Sequence, residues 1–116
     1  MFSRSARSIQ NRPIAAAAVV LVIAVIADGP AWSAEAQVRI SNYAFDPPIL
    51  TVPAGTTVVW TNQDGDVHVV SEQNGKFRSM ALDTGDTFSR TFTAAGTIDY
   101  FCAVHPQMTG KIVVTP

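Results

Sequence analysis

The chain has 116 residues and a formal net charge of −1, from eight basic and nine acidic side chains. Because the chain has no strongly basic region, nucleic acid is not an expected partner. The one cysteine, Cys102, excludes an internal disulfide, so a small domain in this chain has to gain its stability from its core or from a ligand.

Residues 1–36 have the pattern of an export signal. Three arginines precede an uncharged apolar run at 14–27, and Ala34-Glu35-Ala36 is a small-x-small cleavage pattern. Cleavage is expected before Gln37, with Ala31-Trp32-Ser33 as the weaker alternative. The apolar run covers only about 21 Å at helical rise, short of a hydrocarbon core of about 30 Å. An uncleaved membrane anchor is therefore the less favoured alternative to a signal peptide.

The mature product is expected to be one domain, residues 37–116, exported to a bacterial periplasm without stable membrane insertion. It consists of short apolar runs between turn residues, with no amphipathic helix of useful length and no internal repeat. Strands are predicted, in chain order, at residues 38–40, 49–52, 56–61, 68–71, 87–92, 97–102 and 111–115. Short strands with turns about every eight to twelve residues favour an antiparallel β-sandwich.

The segment before the last predicted strand concentrates soft and borderline metal ligands. Cys102, His105 and Met108 follow one another at intervals of three. A thiolate, an imidazole and a thioether suit copper far better than magnesium or calcium. The other histidine, His68, begins an earlier strand, and a loop from Cys102 to Lys111 would place His105 and Met108 near it. Two His, one Cys and a weak axial Met are the ligand set of a blue-copper electron-transfer centre.

Each of these residues also has a purely structural interpretation. A cysteine at a strand end is often a small buried hydrophobe, and methionine often fills a core. A single histidine is often a satisfied polar group. Three such side chains within seven positions of one another favour a shared metal site over three separate structural roles.

The chain resembles the cupredoxins and, among them, the amicyanin and short plastocyanin-like proteins. The resemblance rests on His68 and on three motifs, Trp60-Thr61-Asn62, Gly96-Thr97-x-Asp99-Tyr100 and Tyr100-Phe101-Cys102-x-x-His105-Pro106-x-Met108-x-Gly110-Lys111. It implies an all-β, Greek-key β-sandwich of about eight strands. It also implies one type 1 copper bound through the positions of His68, Cys102, His105 and Met108.

The sequence departs from this family on both sides of the first histidine. Family members commonly have Pro before it and Asn, Ser or Thr after it, whereas this chain has Val67 and Val69. The usual polar side chain ties the ligand-bearing loops together, so its absence affects how rigidly they are held. The backbone N–H of Val69 remains able to donate to the Cys102 sulfur. Pro106 has no N–H and cannot donate from the other side.

The expected function is electron transfer by a monomer that docks briefly with redox partners. The resemblance implies a dehydrogenase as donor and a cytochrome c as acceptor. Electrons are expected to leave through His105, with Val104, Pro106 and Phe45 forming an apolar rim suited to weak docking. Four protein ligands leave no open position for a substrate, so no enzyme activity is expected.

Three alternatives stay open at this stage. The first is a periplasmic copper-binding protein for delivery or storage, although the mature chain has only Met80 and Met108 as methionines. The second is a metal-free structural sandwich. The third is a thiol hydrolase using Cys102, for which no oxyanion-hole loop is recognisable.

Overall fold

The computed structural model describes Ser3 and residues 34–116, so most of the predicted leader lies outside the described residues. The chain divides into two units, Met1–Pro30 and Ala31–Pro116, and the second carries the fold. The part of the chain described here has no helix long and apolar enough to cross a membrane. Its strands are β1 (Glu35–Ser41), β2 (Ala44–Asp46), β3 (Ile49–Pro53), β4 (Thr56–Asn62), β5 (Val70–Glu72), β6 (Thr87–Phe92), β7 (Gly96–Cys102) and β8 (His105–Thr115).

Two four-stranded sheets form the sandwich, with strand orders β2-β1-β4-β6 and β3-β8-β7-β5. The predicted β-sandwich of about eight strands is confirmed, and four of the six strand pairs are antiparallel, as expected. β1 pairs with β4 in parallel, and β3 pairs with β8 in parallel. Only Pro47 and Pro48 separate β2 from β3, which lie in different sheets. The chain therefore changes sheets there without a hairpin, and the turn after β3 sends β4 back parallel to β1.

Alternating side chains of the two sheets meet in one core. Val58 and Trp60 on β4 are completely buried, as the period-two alternation of a strand with one buried face requires. The Trp60 ring is surrounded by four aromatic rings at centroid distances of 5.4–6.3 Å: Phe77, Phe88, Phe92 and Tyr100. Burial raises the pKa of Tyr100 to about 12, because the phenolate loses its hydration in this core.

The last strand begins six residues earlier than the sequence predicts. β8 starts at His105, directly after a two-residue turn, and its pairing with β7 has a register shift between Phe101 and Cys102. The expected long loop from Cys102 to Lys111 is therefore wrong. Gly110 lies opposite Tyr100 in this extended pairing, which lets the Tyr100 ring cross β8 at that point.

Replacing Gly110 by alanine should destabilise the fold. A Cβ at this position would overlap the ring and hydroxyl of Tyr100, and backbone and ring are both packed too tightly to move freely. Overpacking of this kind costs about 1–3 kcal/mol of unfolding free energy, which denaturant titration of the metal-free protein measures. Gly65→Ala is the matched control because its Cβ would meet nothing within 4 Å. Equal stability of Gly110→Ala and the unaltered protein would contradict the tight packing.

Candidate metal centre

Three of the four predicted ligands converge at one end of the sandwich. Cys102 ends β7, His105 begins β8, and His68 lies in an isolated β-bridge with Leu82 just before β5. The Cys102 Sγ is 3.6 Å from His68 Nδ1 and 3.7 Å from His105 Nδ1. One donor atom from each residue lies within 4.8 Å of the others. The fold thus brings together His68 and Cys102, which are 34 residues apart in the sequence.

The fourth predicted ligand, Met108, lies three residues into β8. Its side chain is buried and packs in the same apolar cluster as Cys102. His68 and Cys102 are also inaccessible, whereas the His105 side chain is 33% exposed. The centre thus offers two imidazole nitrogens, a thiol and a neighbouring thioether at a buried pole with one histidine at the surface. This donor set fits copper and does not suit hard cations that prefer oxygen.

Backbone hydrogen bonds join the two chain segments that carry the ligands. Val69 N donates to Cys102 Sγ at 3.4 Å, and Ala103 N donates to Val69 O at 3.1 Å. Val70 then pairs with Cys102 in the β5–β7 ladder. The side chain of Val69 has no polar atom, but its backbone holds the segments together from both sides. Pro106 has no N–H to offer to the sulfur.

His68 has a carboxylate partner that the sequence analysis missed. Its Nε2 lies 2.8 Å from Asp64 Oδ2, and the Asp64 side chain is only 12% exposed. Desolvation works to raise the pKa of Asp64. Hydrogen bonds from the backbone N–H groups of Tyr43 and Asn42 and from the His68 side chain outweigh it and lower that pKa. A histidine whose outer nitrogen is held in this way has its ring orientation and tautomer fixed, which leaves Nδ1 directed at Cys102.

The buried amide of Asn62 organises the turn that carries Asp64. Asn62 Nδ2 donates to Asp66 O and to Leu82 O, both at 2.8 Å, and Asn62 Oδ1 accepts from Asp64 N at 2.9 Å. Leu82 in turn exchanges two backbone hydrogen bonds with His68. Asn62 therefore supports His68 from two directions, through Asp64 and through Leu82.

The aromatic residue next to the surface histidine is Tyr43, which the sequence analysis did not identify. Tyr43 is 54% exposed, and its ring meets those of His68 and His105 at centroid distances of 5.6 and 5.2 Å. Phe45, expected in this place, is buried and packs on Tyr100 at 4.6 Å. The expectation for Phe45 is wrong because alternation along β2 turns its side chain into the core.

Removing the Asn62 side chain should destabilise the protein more than an average polar substitution does. Asn62→Ala deletes three hydrogen bonds made by a completely buried side chain and leaves a cavity in its place. The unfolding free energy of the metal-free protein should fall by roughly 2–4 kcal/mol, as measured by denaturant titration. Asn74→Ala, at an exposed site, is the matched control. Similar losses for both variants would show that the Asn62 amide has no special structural role.

Comparison with known proteins places these features in context. A family model described as a cupredoxin-like domain matches residues 13–114. Amicyanin-alpha of Methylorubrum extorquens is 36% identical over 94 residues, which cover 77% of each chain. Amicyanin of Paracoccus denitrificans is 38% identical over 82 residues, covering 66% of this chain and 63% of the relative, which is somewhat under two thirds of that protein.

Solved structures of an amicyanin and of another cupredoxin are also similar to this chain. An oxidised methionine-to-leucine mutant of amicyanin superposes with a TM-score of 0.66 at 34% identity, covering 68% of this chain and 80% of the other. A purple cupredoxin from Nitrosopumilus maritimus gives a TM-score of 0.64 at 37% identity, covering 69% of this chain and 99% of the other.

Proposed function

Since the chain belongs to the cupredoxin-like family, we propose that it is an exported type 1 copper protein that carries single electrons between redox partners. Its amicyanin and plastocyanin relatives are of the type 1 copper electron-transfer kind. The observation that carries the proposal is the convergence of Cys102 Sγ with the Nδ1 atoms of His68 and His105 at a buried pole.

We propose His68, Cys102, His105 and Met108 as the ligands of one type 1 copper. When bound there, copper supplies a one-electron couple, and a His₂Cys set with a weak Met is acceptable to both of its oxidation states. The protein's own part is to keep this set from rearranging. Hydrogen bonds fix His68 through Asp64 and the Cys102 sulfur through the Val69 N–H.

The surface around His105 supports its role as the point of electron exit. Val104 is 46% exposed, and a shallow groove of ≈ 400 Å³ is lined by Val104, His105, Pro106 and Gln107. A small, largely apolar surface suits the brief and weak docking of redox proteins. We propose a dehydrogenase-type donor and a cytochrome c-type acceptor, served by a monomer.

Export rests on the leader pattern of residues 1–36. We propose cleavage before Gln37 and a periplasmic product of residues 37–116. β1 begins at Glu35, so its first two residues precede the proposed cleavage site, and Gln37 to Ile40 remain to pair with β4. The β1–β4 ladder therefore retains most of its length in the proposed product.

A copper-delivery or storage role is supported less well by the site. Delivery is favoured by exposed soft ligands that a partner can reach, whereas His68, Cys102 and Met108 are buried. Met80 is 85% exposed and, unlike Met108, is not part of the apolar cluster that contains Cys102. Four protein donors also leave no open position for substrate, which favours a carrier over an enzyme.

Adding one equivalent of Cu(II) to the purified protein should produce an intense visible band with the narrow copper hyperfine splitting of a type 1 site in the EPR spectrum. Covalent bonding of Cu(II) to the Cys102 thiolate would give rise to this band. Fast, reversible voltammetry of the same sample should identify a carrier, since a delivery protein has no need to conserve its geometry between oxidation states.

Cys102→Ser tests the thiolate directly. It should abolish the band, because a hydroxyl is a harder and poorer donor. Met80→Leu is the matched control and should retain full colour, since that side chain is exposed and outside the apolar cluster that contains Cys102. An intensely coloured Cys102→Ser protein would refute the ligand assignment.

Copper should also raise the melting temperature. A ligand that binds only the folded state stabilises it by RT ln(1 + [L]/Kd), about 4 kcal/mol at a thousandfold excess over Kd. For a domain of this size that corresponds to a shift of roughly 15–30 °C, measured by calorimetry with and without Cu(II). Identical melting curves would mean that metal binding is not coupled to this fold.

A further inference from the structure

Tyr43 is an exposed aromatic side chain held in an unusually constrained position beside the metal centre. Its ring makes edge contacts with both imidazoles, at interplanar angles of 76° to His68 and 78° to His105. An exposed tyrosine ordinarily moves freely among rotamers, so a ring placed against two histidines at once needs specific restraints. Two carboxylates, Asp64 and Asp66, provide them.

The backbone of Tyr43 is restrained by Asp64. Asn42 and Tyr43 have φ values of 53° and 57°, a left-handed pair without glycine that is unfavourable for a tyrosine. Asp64 accepts a hydrogen bond from each of them, from Asn42 N at 2.6 Å and from Tyr43 N at 2.9 Å. The carboxylate that orients His68 thus also holds the strained turn that presents Tyr43.

The phenol end of Tyr43 is restrained by Asp66. Tyr43 Oη donates to Asp66 Oδ2 at 3.0 Å, and that same oxygen lies 4.0 Å from His105 Nε2. Asp66 is itself fixed by Asn62, which bonds to its carbonyl, and by the Val67 N–H, which donates to Oδ1 at 3.1 Å.

Other side chains therefore surround the His105 ring on several sides. Its Nδ1 faces Cys102, the His68 ring lies at 5.0 Å, the Tyr43 ring lies across its edge, and Asp66 stands beyond Nε2. His68 is held in another way, since it is buried and bonded to Asp64. His105 is partly exposed. Among the described residues, its Nε2 has no hydrogen bond like the one between His68 Nε2 and Asp64, and it lies 4.0 Å from Asp66 Oδ2.

We propose that Tyr43 and Asp66 form a latch that holds the His105 ring in its ligand position, in the metal-free protein as well as in the copper form. Both are positioning residues, since they act on His105 and contribute no donor to the Cys102 cluster. The latch preorganises the surface ligand, as the buried Asp64 contact does for His68. Its effect on copper rests on the proposed function, whereas its effect on the ring of the metal-free protein does not.

Three variants test the latch. Tyr43→Phe removes only the hydroxyl, Asp66→Ala removes the acceptor, and Tyr43→Ala removes the ring as well. The matched control is Thr57→Val, which deletes an exposed side chain–side chain hydrogen bond to Thr91 at the other end of β4. Two measurements apply to each variant. One is the motion of the His68 and His105 rings by NMR relaxation of the metal-free protein, and the other is the rate of Cu(II) release to excess EDTA.

Tyr43→Phe and Asp66→Ala should each increase His105 ring motion and speed copper release by about three- to tenfold, the effect of losing one hydrogen bond. Tyr43→Ala should exceed both. The Tyr43→Phe/Asp66→Ala double variant should be no worse than Asp66→Ala alone, because the Tyr43 hydroxyl has already lost its partner when the carboxylate is absent. The ring motion of His68 in Tyr43→Phe and Asp66→Ala should match the unaltered protein, and so should both measurements on Thr57→Val.

Unchanged His105 motion in Tyr43→Phe and Asp66→Ala would overturn the latch. Equal loosening of His68 and His105 would also overturn it, because it would show that the substitutions disturb the whole turn. If Tyr43→Ala fails to fold, the two milder variants still decide. A protein that does not form a type 1 copper site would refute the proposed function, while the ring motion of the metal-free form would still confirm or refute the latch.

Discussion

The centre depends above all on the backbone pairing between the segment after His68 and the turn after Cys102. Val69 and Ala103 are joined by a hydrogen bond, Val70 pairs with Cys102, and the Val69 N–H points at the sulfur. These contacts bring together residues that are far apart in the sequence, so closing this loop carries an entropic cost that the packed sheets offset. Once the sheet has formed, the donor atoms of His68 and Cys102 lie close together without any further change of the backbone.

Polar contacts around His68 hold the ligand-bearing loops in place of the polar side chain that family members commonly have after the first histidine. With valines on both sides of His68, the ring is oriented from outside by Asp64, and the turn bearing Asp64 is held by Asn62. Buried polar groups in such a network are costly unless every member is bonded. The Asn62 amide meets this condition with two donated bonds and one accepted bond.

A group of soft donor side chains could be recognised from the sequence because the information for it is local. Cys102, His105 and Met108 lie within seven residues, and their chemistry is independent of the rest of the fold. The family and the eight-stranded sandwich were likewise predictable from short motifs and strand spacing. Tyr43 and Asp64 were not, since their contact spans 21 residues and depends on a left-handed turn between β1 and β2. The Asn62–Asp66 segment shows only turn-forming composition in sequence, and its hydrogen bonds to Leu82 and Tyr43 join residues 20 and 21 positions apart.

The extension of β8 back to His105 has a practical meaning for attaching this protein to surfaces. One continuous strand begins at the partly exposed histidine and ends at Thr115, next to the C-terminus, where it pairs with Pro53 of β3. A tether added after Pro116 would thus leave from the pole opposite the metal centre and point the histidine face outward. Because residues 111–115 of β8 are paired on both sides, by β3 and by β7, two ladders hold this end of the strand against a pull from the tether. The domain is therefore suited to oriented immobilisation on an electrode through the Thr115 end of β8.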